Sequence, residues 1–407
     1  MLIIGSLLLT FCSSDFSPLN DQTQINIRPL TKSEQQLVKT TQNFGLNLFK
    51  TINETDTSDN IFISPVSVSM ALGMTLNGAA GQTYNDMKST LELNGLSEDE
   101  INAAYKSLID LLLNLDDKVI MEIANSIWPK ENYPVLSTFT EVNQKYFYSE
   151  VKPLDFSRSD AVDIINNWIS DKTHGKIEDM LDYIPADVVM YLINTIYFKG
   201  TWTYQFDEEE TKTQSFYSTL QNPTECQMME IRENLLYYED DNVQIVDLPY
   251  GDSKFSMTVF LPKQDLSIDN FIGQLTSESW TSYFETLDYD SGNVYMPKFK
   301  LDYKLLMNDV LKSMGMTIAF TPSADFSRIN GYGGLAISRL IHQSFIQVDE
   351  EGTEAAAATI VEIFETSIAE PEGFTMYINR PYLFVIRERV NNTILFIGKI
   401  SKPLWEE

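Results

Sequence analysis

Glu350-Glu351-Gly352-Thr353-Glu354-Ala355-Ala356-Ala357-Ala358-Thr359 is the stretch on which the fold turns. An acidic pair leads through one glycine into a run of the smallest side chains. Ile360-Val361-Glu362-Ile363-Phe364-Glu365-Thr366-Ser367 follows. In a strand, alternate residues face opposite sides. One face then carries Thr353, Ala355, Ala357, Thr359, Val361 and Ile363, uncharged and slight in its first half. The other carries Glu354, Ala356, Ala358, Ile360, Glu362 and Phe364, with both glutamates. That division suits a strand laid over a packed interior. In a helix, Ala357, Ile360, Val361 and Phe364 fall at helical spacing, and alanine is the best helix former. Periodicity leaves both readings open.

Other blocks bear on the choice. They are Asn60-Ile61-Phe62-Ile63-Ser64-Pro65-Val66-Ser67, Asn194-Thr195-Ile196-Tyr197-Phe198-Lys199-Gly200-Thr201-Trp202, and Asn379-Arg380-Pro381-Tyr382-Leu383-Phe384 followed by Ile397-Gly398-Lys399-Ile400. With the acidic, glycine and alanine run, these blocks resemble the serpins, a family of large protease inhibitors, in family order over residues 31 to 405. The opening stretch is similar to the hinge of the serpin reactive-centre loop, which favours the strand. The resemblance implies an α+β fold with three β-sheets, eight or nine helices and one exposed loop. It implies a hinge of Glu350, Gly352, Thr353, Glu354, Ala355, Ala356, Ala357, Ala358 and Thr359. It also implies attack by a protease roughly fourteen residues beyond Gly352, at Thr366-Ser367.

The loop is a few residues longer than in many serpins, with Glu370-Pro371-Glu372-Gly373 inserted. Phe364-Glu365 and Ile368-Ala369 therefore stay open as alternative bonds. The resemblance further places His342 with Ser64, Ser67 and Asn194 in a polar cluster where the central sheet opens. Trp202 and Lys298 match positions near the top of that sheet, with Lys298 paired to Glu350. The partner implied is a serine protease held in a covalent complex. The short branched side chain of Thr366 suits an elastase-like pocket.

Length alone allows two or three domains in 407 residues. No Pro/Gly/Ser-rich linker or composition shift divides the chain after about residue 30, and 23 Phe with 20 Tyr are ample for one large core. Residues 31–407 therefore read as one domain, expected to be a monomer. The net charge of −29 leaves no clustered basic face for nucleic acid. The Ser97 to Asp117 segment is acidic where some serpins carry a basic heparin-binding helix, so heparin activation is not expected.

Two cysteines cannot build a disulfide framework. Cys226 reads as a buried small hydrophobe. Cys12 closes the apolar run Leu2 to Phe11, which is too short to span a bilayer and suits an export leader. Leu9-Thr10-Phe11-Cys12-Ser13-Ser14 resembles a bacterial lipoprotein cleavage site, although Phe11 stands where a small residue is usual and no Lys or Arg precedes the run. Residues 1–30 are thus expected to be a leader and spacer, the chain to lie outside the cytoplasm or in the cell envelope, and Cys12 to be a candidate for lipid attachment. That lipid is the one membrane link expected.

Along the chain, Thr31-Lys32-Ser33-Glu34 reads as a capping box. It opens an amphipathic helix with Leu37, Phe44, Leu46 and Phe49. Ser64 and Pro65 start a buried helix, Val66 to Leu76, ending at Asn77-Gly78. Helices are expected from about Tyr84 to Leu93, Glu98 to Leu115, Asp160 to Thr173 and Tyr303 to Met314. Strands are expected at Val188 to Phe198, Val243 to Tyr250, Phe255 to Leu261, Val294 to Phe299 and Phe345 to Asp349, with a last hairpin of Phe384 to Ile386 and Ile394 to Ile397.

Enzyme chemistry finds little support. The two histidines, His174 and His342, rule out a histidine-rich metal site. No G-x-S-x-G elbow occurs, and Gly331-Tyr332-Gly333-Gly334 lacks the lysine of a phosphate loop. No cofactor is expected. Two rivals remain beside inhibition: a non-inhibitory serpin acting as carrier or chaperone, and a surface-anchored binding protein whose loop is only bait. Thr353 and the four alanines favour inhibition, because bulky, charged or proline residues are usual there in non-inhibitory relatives.

Overall fold

A computed structural model describes residues 30–219, 222–354 and 373–405. The capping box forms as expected: the Thr31 and Glu34 side chains and backbones bond reciprocally, opening the helix Lys32–Thr55. Ser64 caps the helix Pro65–Leu76, which is buried nearly all round. The helices Gly81–Thr90, Glu98–Leu113 and Ala161–Lys172 stand where helical spacing placed them. Ten α-helices occur among the described residues, two of them single turns of four residues, Asn308–Leu311 and Ser327–Asn330.

The helix expected from Tyr303 to Met314 forms only in its second half, as one α-turn at Asn308–Leu311 that runs on into Lys312–Met316. Phe299–Leu306 is a strand, paired residue for residue with Ile341–Val348. Its burial alternates: Phe299 and Tyr303 point in, while Lys300, Asp302 and Lys304 point out. Pairing with a neighbour thus overrides a local pattern that also fits a helix.

Among the described residues helices and mixed sheets make the expected α+β fold, and the strands form two hydrogen-bonded sheets where three were expected. The long strand Asn222–Glu239 runs from a pairing with Lys212–Thr219 to one with Val243–Tyr250, and so joins what would otherwise be separate sheets. The nine-stranded sheet also holds the buried C-terminal hairpin, Tyr382–Glu388 with Ile394–Ile400.

The six-stranded sheet positions the site. Its order is Phe299–Leu306, Ile341–Val348, Gly352–Thr353, Met190–Thr201, Val119–Pro129 and Glu150–Val151. One face packs on the main core, including Phe62, Phe198 and Phe396. The other is crossed by the Ala161–Lys172 helix, which buries Trp168, Ile169 and the following Ile177 against Trp128 and Ile193.

Candidate functional site

The site is the place where Ile341–Val348 and Met190–Thr201 face each other. Among the described residues these strands share no ladder of their own. They are joined through Gly352–Thr353, which pairs with Val348 on one side and with Gly200 and Thr201 on the other. Below that rung lies a narrow opening, partly open to solvent. Phe62, Phe198, Ile386 and Phe396 lie on its core side, and Thr173, Lys176 and Ile177 on the other.

Local chemistry explains why the chain turns into this slot. The Asp349 carboxylate accepts from the backbone N–H of Glu351 and Gly352 at 3.1 and 3.2 Å, as in an Asx turn. Gly352 has φ +156°, and a Cβ there would stand 2.1 Å from the Gly200 carbonyl oxygen, so only glycine fits. The turn is clamped from outside. The Trp202 backbone and indole N–H groups donate to the carbonyls of Glu351 and Asp349, each at 2.9 Å. Phe206 N–H donates to the Glu350 carbonyl at 3.0 Å.

Thr353 is 2% exposed, and its hydroxyl lies 2.6 Å from that of Tyr250. Tyr250 in turn stacks on Trp202 with ring centroids 4.3 Å apart. Burial holds the Tyr250 hydroxyl well above the usual phenol range. Trp202 is therefore both core packing and a donor to the hinge.

Lys298 and Glu350 meet at 2.6 Å, with side chains only 18% and 5% exposed. The pair that the resemblance implied is therefore present, and it is largely enclosed. Thr211 donates to the same carboxylate at 2.6 Å, and the Lys298 ammonium lies 4.5 Å from the ring centre of Trp405. Lys298→Ala would leave Glu350 buried without its cation, a loss on the order of 2–4 kcal/mol. The variant should polymerise or lose its native form about tenfold faster on warming. An unchanged rate on native gels would remove Lys298 from control of the hinge.

The polar cluster assembles only in part. His342 Nε2 accepts from the Ser64 backbone N–H at 3.1 Å; Ser64 Oγ donates to the Leu395 carbonyl at 2.7 Å and accepts from Ser67 N–H at 3.3 Å. Burial holds the His342 imidazole down at about 4, hence neutral and able to accept. Asn194 stands apart. Its amide donates to Asn125 Oδ1 at 2.8 Å, and its own buried Oδ1 has no hydrogen-bond partner. The cause is the slot, since His342 and Asn194 sit on the two strands that share no ladder.

Glu354 corrects the face assignment. The alternation set it on the outward side with Glu362, but its backbone leaves the strand at φ +57° and its carboxylate is buried. Lys176 approaches it at 3.5 Å. Tyr250, Lys176, Thr211, Asn125 and Trp405 were missed from the sequence. None stands in a motif, and only folding brings Asn125 to Asn194 and the other four to the hinge. Ala355, Ala356, Ala357, Ala358, Thr359, Thr366, Ser367 and Cys12 lie outside the described residues. Cys226 is buried, with its thiol pushed up to about 11 by desolvation. Among the described residues, no group of three or more His, Cys, Asp or Glu could hold a metal ion.

The family model described as Serpin (serine protease inhibitor) matches residues 39–403. Serpin B9 of Homo sapiens is 34% identical, over 88% of this chain and 97% of that protein. The crystal structure of the thermophilic serpin Tengpin in the native state superposes with a TM-score of 0.83 at 32% identity, covering 92% of this chain and 95% of that one. Human thyroxine-binding globulin complexed with its ligand gives the same TM-score at 26% identity, covering 92% of this chain and all of that one.

Proposed function

The chain belongs to the serpin family, and from that premise we propose that it is a single-use inhibitor of serine proteases with elastase-like preference. The protease's serine attacks the Thr366-Ser367 bond and forms an acyl-enzyme on the Thr366 carbonyl. The cut frees the loop, which adds to the six-stranded sheet between Ile341–Val348 and Met190–Thr201. Serpin loop insertion is an established case of strand addition. The attached protease is carried along, and its catalytic geometry is spoiled before water can release it. The observation that carries this reading is the slot itself: two strands without a shared ladder, with Gly352–Thr353 as a first rung between them.

Thr366 offers a shallow pocket a short branched side chain. A trypsin-like pocket would be left with an unpaired buried carboxylate. A location outside the cytoplasm goes with this reading through the leader-like run Leu2 to Phe11. A carrier role is the second reading, favoured by the likeness to thyroxine-binding globulin.

Incubation with a protease panel tests the choice. A band stable to denaturing electrophoresis at the summed mass is expected with elastase-like enzymes, and little or none with trypsin-like ones. The released C-terminal fragment should begin at Ser367. A start at Glu365 would move the target to chymotrypsin-like enzymes. Cleavage across the panel without any covalent band would favour the carrier.

A further inference from the structure

Glu354 is an anomaly that loop insertion does not account for. Its side chain is only 4% exposed, and its carboxylate has no well-formed hydrogen bond, with the Tyr197 hydroxyl and Lys176 beside it. It sits at the edge of an opening lined largely by apolar side chains, where an ionised group is costly unless paired. Its φ of +57° is also unfavourable for a residue with a Cβ. Two unfavourable terms at one residue need an offsetting contact. The Tyr197 hydroxyl and Lys176, at 3.5 Å, supply it.

Lys176 is held on a firm base. It follows the Ala161–Lys172 helix in a turn closed by Thr173, whose Oγ1 donates to the Ile169 carbonyl at 2.8 Å and accepts from Ile177 N–H at 3.1 Å. Its ammonium also lies 5.0 Å from the ring centre of Phe345 on the facing strand. Tyr197 stands beside the carboxylate on the other strand, with His174 packed against its ring at 4.4 Å. Lys199 adds a weaker attraction. Among the described residues, Lys176 is the one cation that forms an ion pair with Glu354.

We propose that Lys176 is the counter-charge that lets Glu354 stay buried, so that the pair acts as a latch: while Lys176 neutralises it the hinge of the uncut chain keeps one rung inside the sheet, and an uncompensated Glu354 carboxylate drives it out. This rests on the inhibitor reading for its use but not for its test. The latch ties the hinge to the segment that crosses over the slot. To continue as a strand, Glu354 must give up its left-handed backbone and draw its carboxylate away from Lys176. An uncut loop is therefore held at its first rung, and a cut one starts insertion from a rung already formed.

Substitution of the two partners should affect the hinge unequally, which a plain packing contact would not do. Lys176→Met leaves a buried carboxylate unpaired and drives the hinge out toward water. Glu354→Gln keeps the shape, removes the charge and leaves the hinge seated. The reporter is the Glu354 amide, which donates to the Gln347 carbonyl at 3.1 Å only while the hinge is seated. Hydrogen exchange of uncut chain at pH 8, followed by mass spectrometry of peptides spanning 347–354, reads it.

Lys176→Met should speed exchange at Glu354 about tenfold. Glu354→Gln should exchange no faster than wild type, and the double variant should match Glu354→Gln. Unchanged exchange in Lys176→Met, or equal acceleration in both single variants, overturns the latch. No protease is present in this experiment, so loss of the inhibitor reading would leave its outcome untouched.

Discussion

Cutting the loop should raise the thermal midpoint of the protein by about 10 °C or more. The expectation follows from the slot. The facing edges of Ile341–Val348 and Met190–Thr201 are bridged at Gly352 and Thr353, while Met190, Tyr191 and Leu192 stay only half-buried along theirs. A strand added there would gain hydrogen bonds on both sides, each worth about 1 kcal/mol net. It would also bury Val361 and Ile363 on the inward face, at about 1.5–3 kcal/mol per side chain. Ordering the loop costs backbone entropy, so only part of that sum remains. A surplus of about 5 kcal/mol would still move the midpoint by on the order of 10 °C. Calorimetry of intact protein and of protein nicked within 355–372 makes the comparison. Nicked protein melting at or below the intact form would remove insertion altogether, and the slot would then be a plain structural gap.

What could be read from the sequence, and what could not, divides along physical lines. Elements with strong local signals came through: the Thr31/Glu34 capping box, the Ser64-Pro65 start, the all-round apolar helix behind it, and the hairpin at the C-terminus. Their causes lie within a few residues of each other. Phe299–Leu306 failed for the opposite reason, because what makes it a strand is its partner at 341–348, about forty residues away in sequence. The site shows the same split. Gly352 and Thr353 were marked by the resemblance, but Tyr250 beneath Thr353 and Lys176 above Glu354 are ordinary residues until the sheet brings them there. Glu354 is the sharpest case. Alternation puts it outside, yet the left-handed turn directly after Thr353 swings its carboxylate into the slot.

Thr353→Arg should turn the inhibitor into an ordinary substrate. In the uncut chain Thr353 already occupies the sheet, with its hydroxyl 2.6 Å from Tyr250 and Gly200 paired beside it. Its hydroxyl faces Tyr250, which stacks on Trp202 and packs against Phe198, and none of these three offers an anion to a guanidinium. Burying that charge unpaired costs several kcal/mol, so an arginine there would hold the hinge outside the sheet. The Thr366-Ser367 bond, thirteen residues on, should be cut as before. Insertion after the cut would then stall at its first rung, and water would release the protease before it is disabled. The expected result is cleavage at an unchanged bond, loss of the covalent band by at least tenfold, and active protease at the end. Thr353→Ser, which keeps the hydroxyl toward Tyr250, should inhibit close to wild type and so controls for general damage. If Thr353→Arg traps protease as well as wild type, insertion does not begin at this hinge. The carrier reading would then have the stronger claim on the slot.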